Sequence, residues 1–233
     1  SADWHLDSPF AGFTDRQRTI LQEAQRKIPG KVADLCRRED CDLVLLAGDL
    51  FDGEARQETV ALLKRELENC GVPVLIAPGN HDFCSPASPW LTEVWPENVH
   101  IFTSRTVESV PLPALNCRVY GAAFTGPEDA GLLENFQACG EEAWHLGVFH
   151  GDPVNPGGYH PISSETLSAA IFTEIARFAA EGYRIRFSKL ATDIPSPSSL
   201  SQRICARRLS ILKRRDRLQR NTTGNSRPLD LWM

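Results

Sequence analysis

Two rhythms of apolar residues alternate along the first 180 positions. Short runs at residues 42–47 (Asp-Leu-Val-Leu-Leu-Ala) and 72–77 (Val-Pro-Val-Leu-Ile-Ala) each stop at a polar turn. Runs of this length, closed by glycine, predict buried strands of an α/β sheet. Between them Val60, Leu63 and Leu67 recur at helical spacing and predict an amphipathic helix over residues 54–69. Upstream, Thr14 or Asp15 can cap a helix carrying Ile20, Leu21 and Ala24. Pro29 predicts a kink or break, and a second helical stretch runs from Lys31 through Val32 and Leu35. Residues 98–102, 118–124 and 144–149 predict further strands. Leu167, Ile171, Ile175 and Phe178 predict a helix over 164–181, with Gly182 as its stop.

Strand, helix, strand in that order is a βαβ unit. It makes the strands of 42–47 and 72–77 parallel and puts both polar turns at the C-terminal edge of the sheet, where such sheets bind ligands.

Composition changes this picture in three places. No run of eighteen apolar residues and no basic-then-apolar N-terminus is present, so neither a membrane span nor a secretory signal is predicted, and a cytoplasmic location is expected. The seven cysteines are odd in number, scattered and without a C-x-x-C pair, which predicts reduced thiols. Charge divides the chain: residues 1–181 hold 27 acidic against 13 basic side chains, and residues 182–233 hold 3 against 12. The reading is therefore a folded unit over 1–182 and a basic Ser/Pro/Arg-rich tail over 183–233, expected to be non-homologous or disordered. A basic arm that grips DNA phosphates is the functional alternative. The single methionine is Met233, and Ser1 stands two residues before the first polar cluster, so the chain is expected to be a piece of something longer.

Four polar clusters stand at or near strand ends: Asp3-Trp4-His5, Gly48-Asp49, Gly79-Asn80-His81-Asp82 and His150-Gly151. Each alone is an ordinary turn signal. Together they deliver hard oxygen and imidazole donors to one edge, as a pair of divalent cations requires. Two cations about 3.5–4 Å apart repel, and a bridging carboxylate offsets that repulsion. Asp49, on a central strand, is the natural bridge. Asp3 and His5 lie two residues apart in an extended segment and so share a side and one metal. Asn80, through its amide oxygen, and His150 can serve the other.

The ordered set D-x-H, G-D, G-N-H-D and H-G resembles the calcineurin-like metallophosphoesterase superfamily. More narrowly, "ADWHLDSPF", "LVLLAGDLFD" and "APGNHD" resemble the SbcD-like nuclease component of bacterial DNA repair exonucleases. The likeness covers roughly residues 1–170. It implies a metallophosphoesterase-type αββα sandwich with mixed sheets, here incomplete at both ends. The strand expected before D-x-H is reduced to Ser1 and Ala2, and no histidine follows His160 to supply the family's later G-H-x-H motif. Asp3 and His5 are accordingly expected at a frayed terminus.

Position by position, the resemblance implies that Asp3 and His5 bind the first metal, Asp49 bridges, and Asn80 and His150 bind the second. His81 would face the scissile phosphate, with Asp82 orienting its ring. The implied cofactors are two divalent metal ions, manganese first, with magnesium or iron as alternatives. The implied partners are DNA, an SMC-like ATPase subunit and a second copy in a homodimer. The implied activity is phosphodiester hydrolysis by a two-metal mechanism, as a DNA exonuclease or endonuclease of a repair complex. Two alternatives stand beside it: a catalytically incompetent chain with a nucleic-acid-binding tail, and a phosphatase acting on a phosphoprotein or small phosphodiester.

Overall fold

The apolar runs at 42–47 and 72–77 become the centre of a parallel sheet. A computed structural model of the chain describes residues 1–128, 133, 136 and 138–151, and the backbone of a short strand at Arg184–Ile185. Strands β1 (Val44–Leu46), β2 (Val74–Ile76) and β3 (Val99–Ile101) pair in that order, all parallel, with Val44 opposite Val74 and Val74 opposite Val99. The second sheet is mixed: β4 (Glu108–Leu112) is antiparallel to β5 (Cys117–Gly121), which pairs in parallel with β6 (Trp144–Val148). β7 (Arg184–Ile185) adds a parallel edge to β6, just past the Gly182 boundary read from the sequence. The expected helix over 164–181 and nearly all of the tail lie outside the described residues.

Alternation along β1 and β2 builds the layers. Val44, Leu46, Val74 and Ile76 face helices α2 (Ile28–Arg38) and α3 (Gln57–Glu68), meeting Ala33, Cys36, Val60, Leu63 and Leu67. Leu43, Leu45, Leu75 and Ala77 face the other way, onto Cys117, Val119 and Val148 of the second sheet. The chain is thus an α/β sandwich of two sheets with flanking helices.

Two elements, α2 and β4, depart from the sequence reading, and α1 (Asp15–Arg26) forms at the predicted cap with a role that the sequence did not show. α2 starts at Ile28, before Pro29, because a proline in the first turn lacks only an N–H that would be unpaired anyway. α1 buries no residue and leaves Ile20 56% exposed. It serves as a polar tether: Gln25 Nε2 donates to the carbonyl of His5 at 2.8 Å, and Gln22 Nε2 to that of Ser8 at 3.1 Å. β4 has no counterpart in the sequence reading; it contains Pro111, which is tolerated because β4 is the edge of its sheet among the described residues.

The turns after β1 and β2 are locked together. Gly48, at φ +76°, has room for no side chain, since an added Cβ would lie 2.7 Å from Gly79 N and 2.8 Å from His150 Cγ. One on Gly79 would lie 2.7 Å from Asp49 N. Asp82 is buried, and its Oδ1 accepts from the N–H groups of Gly79 (2.7 Å) and Asp49 (3.1 Å). Its Oδ2 accepts from Leu50 (2.8 Å) and Phe51 (3.3 Å). Burial and the nearby Asp49 charge push the Asp82 pKa up to about 6 against the pull of these donors.

An amide can accept on one side only and would turn its own NH2 toward two of those N–H groups. Asp82→Asn is expected to lower stability by about 2–4 kcal/mol in chemical denaturation. Gly79→Ala is expected to lower the melting temperature and also to weaken divalent-metal binding, read by calorimetry, because the clash displaces Asp49.

Candidate metal centre

Residues 1–6 are not frayed. They run beside β1 and the turn that follows it, with Ala47 N donating to Ser1 O (2.8 Å), Asp3 N to Gly48 O (3.0 Å) and His5 N to Asp49 O (2.9 Å). Leu6 and Phe51 close the ladder as a parallel bridge, and Trp4 and Leu6 are buried in the helix-side core. That alternation leaves Asp3 and His5 on the opposite side, as the spacing predicts. The segment is not regular strand, however: Asp3 (φ 55°) and His5 (φ 47°), like Asp49 (φ 53°), occupy the left-handed region. Strained backbone of this kind costs about 1–3 kcal/mol per residue and persists only where neighbours over-determine it. Here the ladder to β1, the Gln25 amide and the Asp82 carboxylate do so.

Donor atoms converge in two adjoining groups, each with its ligand atoms within 4.8 Å of one another. The first is Asp3, Asp49 and His150; the second is His5, Asp52 and His81. Asp49 joins them, its Oδ2 lying 3.3 Å from His150 Nε2 and 3.9 Å from His5 Nε2. Its Oδ1 accepts from His81 N at 3.0 Å. Asn80 contacts the first group, with Oδ1 3.0 Å from His150 Nε2. His150 Nδ1 lies 2.9 Å from the Ala47 carbonyl, an arrangement that assigns a proton to Nδ1 and turns Nε2 toward the oxygens of Asp49 and Asn80, where it carries a second proton in the metal-free chain and would offer its lone pair to a cation.

The sequence-predicted residues are therefore all brought to one place, but grouped differently. His150 sits with Asp3 and Asp49 as well as with Asn80, and His5 sits with a residue the sequence reading missed. Asp52 Oδ1 is 2.8 Å from His81 Nδ1 and 3.8 Å from His5 Nδ1. The carboxylate that meets the His81 ring is thus Asp52, not Asp82, whose oxygens are engaged by backbone donors. The sequence reading assigned Asp52 no role. Its signal was position: the fully buried pair Leu50 and Phe51 separates it from Asp49, so both acids emerge at the same loop.

The electrostatics test whether cations fit. Burial, reinforced by the charge of Asp49, raises the pKa of Asp3. Burial would also raise Asp49, but the hydrogen bond and charge of His150 and the His81 N–H hold it below the usual carboxylate value. Burial would lower His150, yet its hydrogen bond to Asp49, the Asp49 charge and the Ala47 carbonyl push it up to about 9. Among the described residues, the ion pairs of Asp49 and Asp52 are all with histidine. Acids crowded in low dielectric with no lysine or arginine paired to them form a donor set that divalent cations suit.

A family model described as "Calcineurin-like phosphoesterase" matches residues 1–174. Over 175 residues, 69% of this chain and 42% of the relative, the sequence is 33% identical to "Uncharacterized metallophosphoesterase YhaO" of Bacillus subtilis. Over 118 residues, 48% of this chain and 29% of the relative, it is 27% identical to one of the subunits of the nuclease SbcCD of Staphylococcus epidermidis. The chain spans less than half the length of either relative. The matched residues take in both sheets through β6 and every donor of the two groups, and the chain belongs to the calcineurin-like phosphoesterase family.

Proposed function

We propose that the chain is a metal-dependent phosphodiesterase that hydrolyses DNA, the nuclease part of a repair complex with an SMC-like ATPase. The observation that carries the metal chemistry is the buried Asp49 carboxylate, shared by two adjoining sets of oxygen and imidazole donors. The DNA substrate and the ATPase partner are supported by the "LVLLAGDLFD" and "APGNHD" motifs and by the likeness to part of the nuclease SbcCD. Asp3, Asp49, His150 and Asn80 would hold one cation, and His5 and Asp52, with Asp49 between, the other. Manganese suits this mixed oxygen and nitrogen set. When bound, two such cations supply an activated water and offset charge on the phosphate.

The chain's own residues do the rest. His81 is half-exposed at the rim, its ring 4.8 Å from that of His5 and nearly perpendicular to it. Asp52 holds His81 Nδ1 and fixes the ring, which leaves Nε2 to face a phosphoryl oxygen or the leaving oxygen. Asp49 and His81 are coupled through the backbone as well, so moving one carboxylate disturbs both the ligands and the histidine.

A second reading, in which the chain binds metal without turnover, is separated from the first by the measurements below. Added manganese is expected to raise the melting temperature, since saturating a site at 100 times its Kd contributes about 2.7 kcal/mol. Asp49→Ala is expected to abolish that shift together with manganese-dependent cleavage of double-stranded DNA ends. Asp52→Asn is expected to reduce cleavage by more than about 10-fold and to remove part of the thermal shift, because it takes away both a ligand of the second cation and the partner of His81. A thermal shift without cleavage by the wild type would select the second reading, and faster turnover of a phosphopeptide than of DNA would select a phosphatase.

A further inference from the structure

Beside His81, on the side of α3 and the short helix α4 (Pro89–Thr92), lies a pocket of about 450 Å³. Its size falls in the range of about 300–1,000 Å³ typical of small-molecule sites. We propose that this pocket receives the nucleobase and sugar attached to the scissile phosphate. The assignment rests on the phosphodiesterase reading for its substrate and on the pocket's own chemistry for its specificity.

The walls carry that chemistry. Phe51, Val60 and Phe83 supply apolar surface, and Gln57, Ser88 and Thr92 supply hydrogen-bonding groups. None of the described residues lining the pocket is lysine or arginine, and Glu54 contributes a negative charge. An anion such as a second phosphate is repelled there, whereas a neutral group with a flat apolar face and polar edges is accommodated. Extracted bases are held in this way, between aromatic or apolar side chains with hydrogen bonds to the edge. Glu54 adds an acceptor for an exocyclic amine.

Ser88 provides the independent sign of a missing ligand. It is buried to 9% exposure, and its Oγ has no hydrogen-bond partner. An unsatisfied buried hydroxyl costs about 1–3 kcal/mol; Oγ is closed to solvent as it stands, and a turn about χ1 toward the pocket that Ser88 lines would let a ligand relieve that cost. The location fits the division of labour at the rim. His81 lines the pocket and also belongs to the second donor group, so a phosphate held at the metal centre places its nucleoside at the pocket mouth.

The test is titration of 2′-deoxyadenosine into the full chain with EDTA present, followed by calorimetry or ligand-observed NMR. Saturable binding to the wild type is expected. Ser88→Ala is expected to weaken it about 2- to 10-fold, the value of one hydrogen bond, with the melting temperature kept. Ala87→Trp fills the pocket from an exposed wall position, so it cannot fail by disturbing the core, and is expected to abolish binding. No saturable binding to the wild type, equal affinity in all three proteins, or displacement by inorganic phosphate would overturn the proposal. Pocket-dependent binding by a chain that cleaves no phosphodiester supports the pocket and removes the diesterase reading alone. Cleavage of DNA without pocket-dependent binding removes the pocket alone.

Discussion

Four backbone N–H groups from two different loops end on one buried carboxylate, and the rest of the site depends on that convergence. Asp82 takes the N–H groups of Gly79 in its own turn and of Asp49, Leu50 and Phe51 in the turn after β1. A carboxylate can satisfy four donors at once, which no other small side chain can do. It converts two separate strand ends into one rigid platform. Asp49, Asn80 and His81 all stand on that platform, and the Trp90 indole, donating to the Asp82 carbonyl at 2.5 Å, ties it to α4 and so to the wall of the pocket.

The same logic extends outward by short steps. Asp7, from the segment that carries Asp3 and His5, accepts from Arg56 N and Thr59 Oγ1, each at 2.9 Å, and so holds the start of α3. α3 packs through Val60, Leu63 and Leu67 against β1 and β2, the strands that end in the platform. Apolar burial sets the layers, but the ring from Asp7 through α3 to β1 and back along the N-terminal segment sets where Asp3 and His5 can be. A regular strand would not place them there, which accounts for left-handed backbone at both.

The parallel arrangement of β1 and β2 and most of the donor residues were legible in the sequence for a simple reason: burial on both faces forces continuous apolar runs, and ligands must stand where such runs stop. β1, β2 and α3 were readable because Leu45, Leu75 and Leu63 answer only to packing. What was not readable came from long-range polar geometry. Asp82 and Asp52 are both acids in turns, and nothing local says that one will face backbone amides while the other faces two imidazoles. The partition of His5 and His150 between donor groups was hidden for the same cause, since spacing fixes a side of the chain and not a neighbour across the sheet edge. α1 forms as read, but a helical apolar rhythm does not reveal that its polar side chains, not Ile20, make the useful contacts.

Charge crowding and backbone strain here bear on whether the centre forms before or upon metal binding. Asp3, Asp49, Asp52 and Asp82 lie in one small region, and Asp3, His5 and Asp49 sit in strained conformations. Were these held only by cations, the metal-free chain would relieve both costs by opening the turns. It has no such freedom, because the bonds that impose the strain are backbone ladders and the Asp82 contacts, and none of them involves a metal-binding lone pair. The proton on His150 offsets part of the repulsion while the cation is away. Divalent cations would then replace a proton in a preformed cradle and would not have to assemble it, so their binding free energy would add to stability without ordering the loops first.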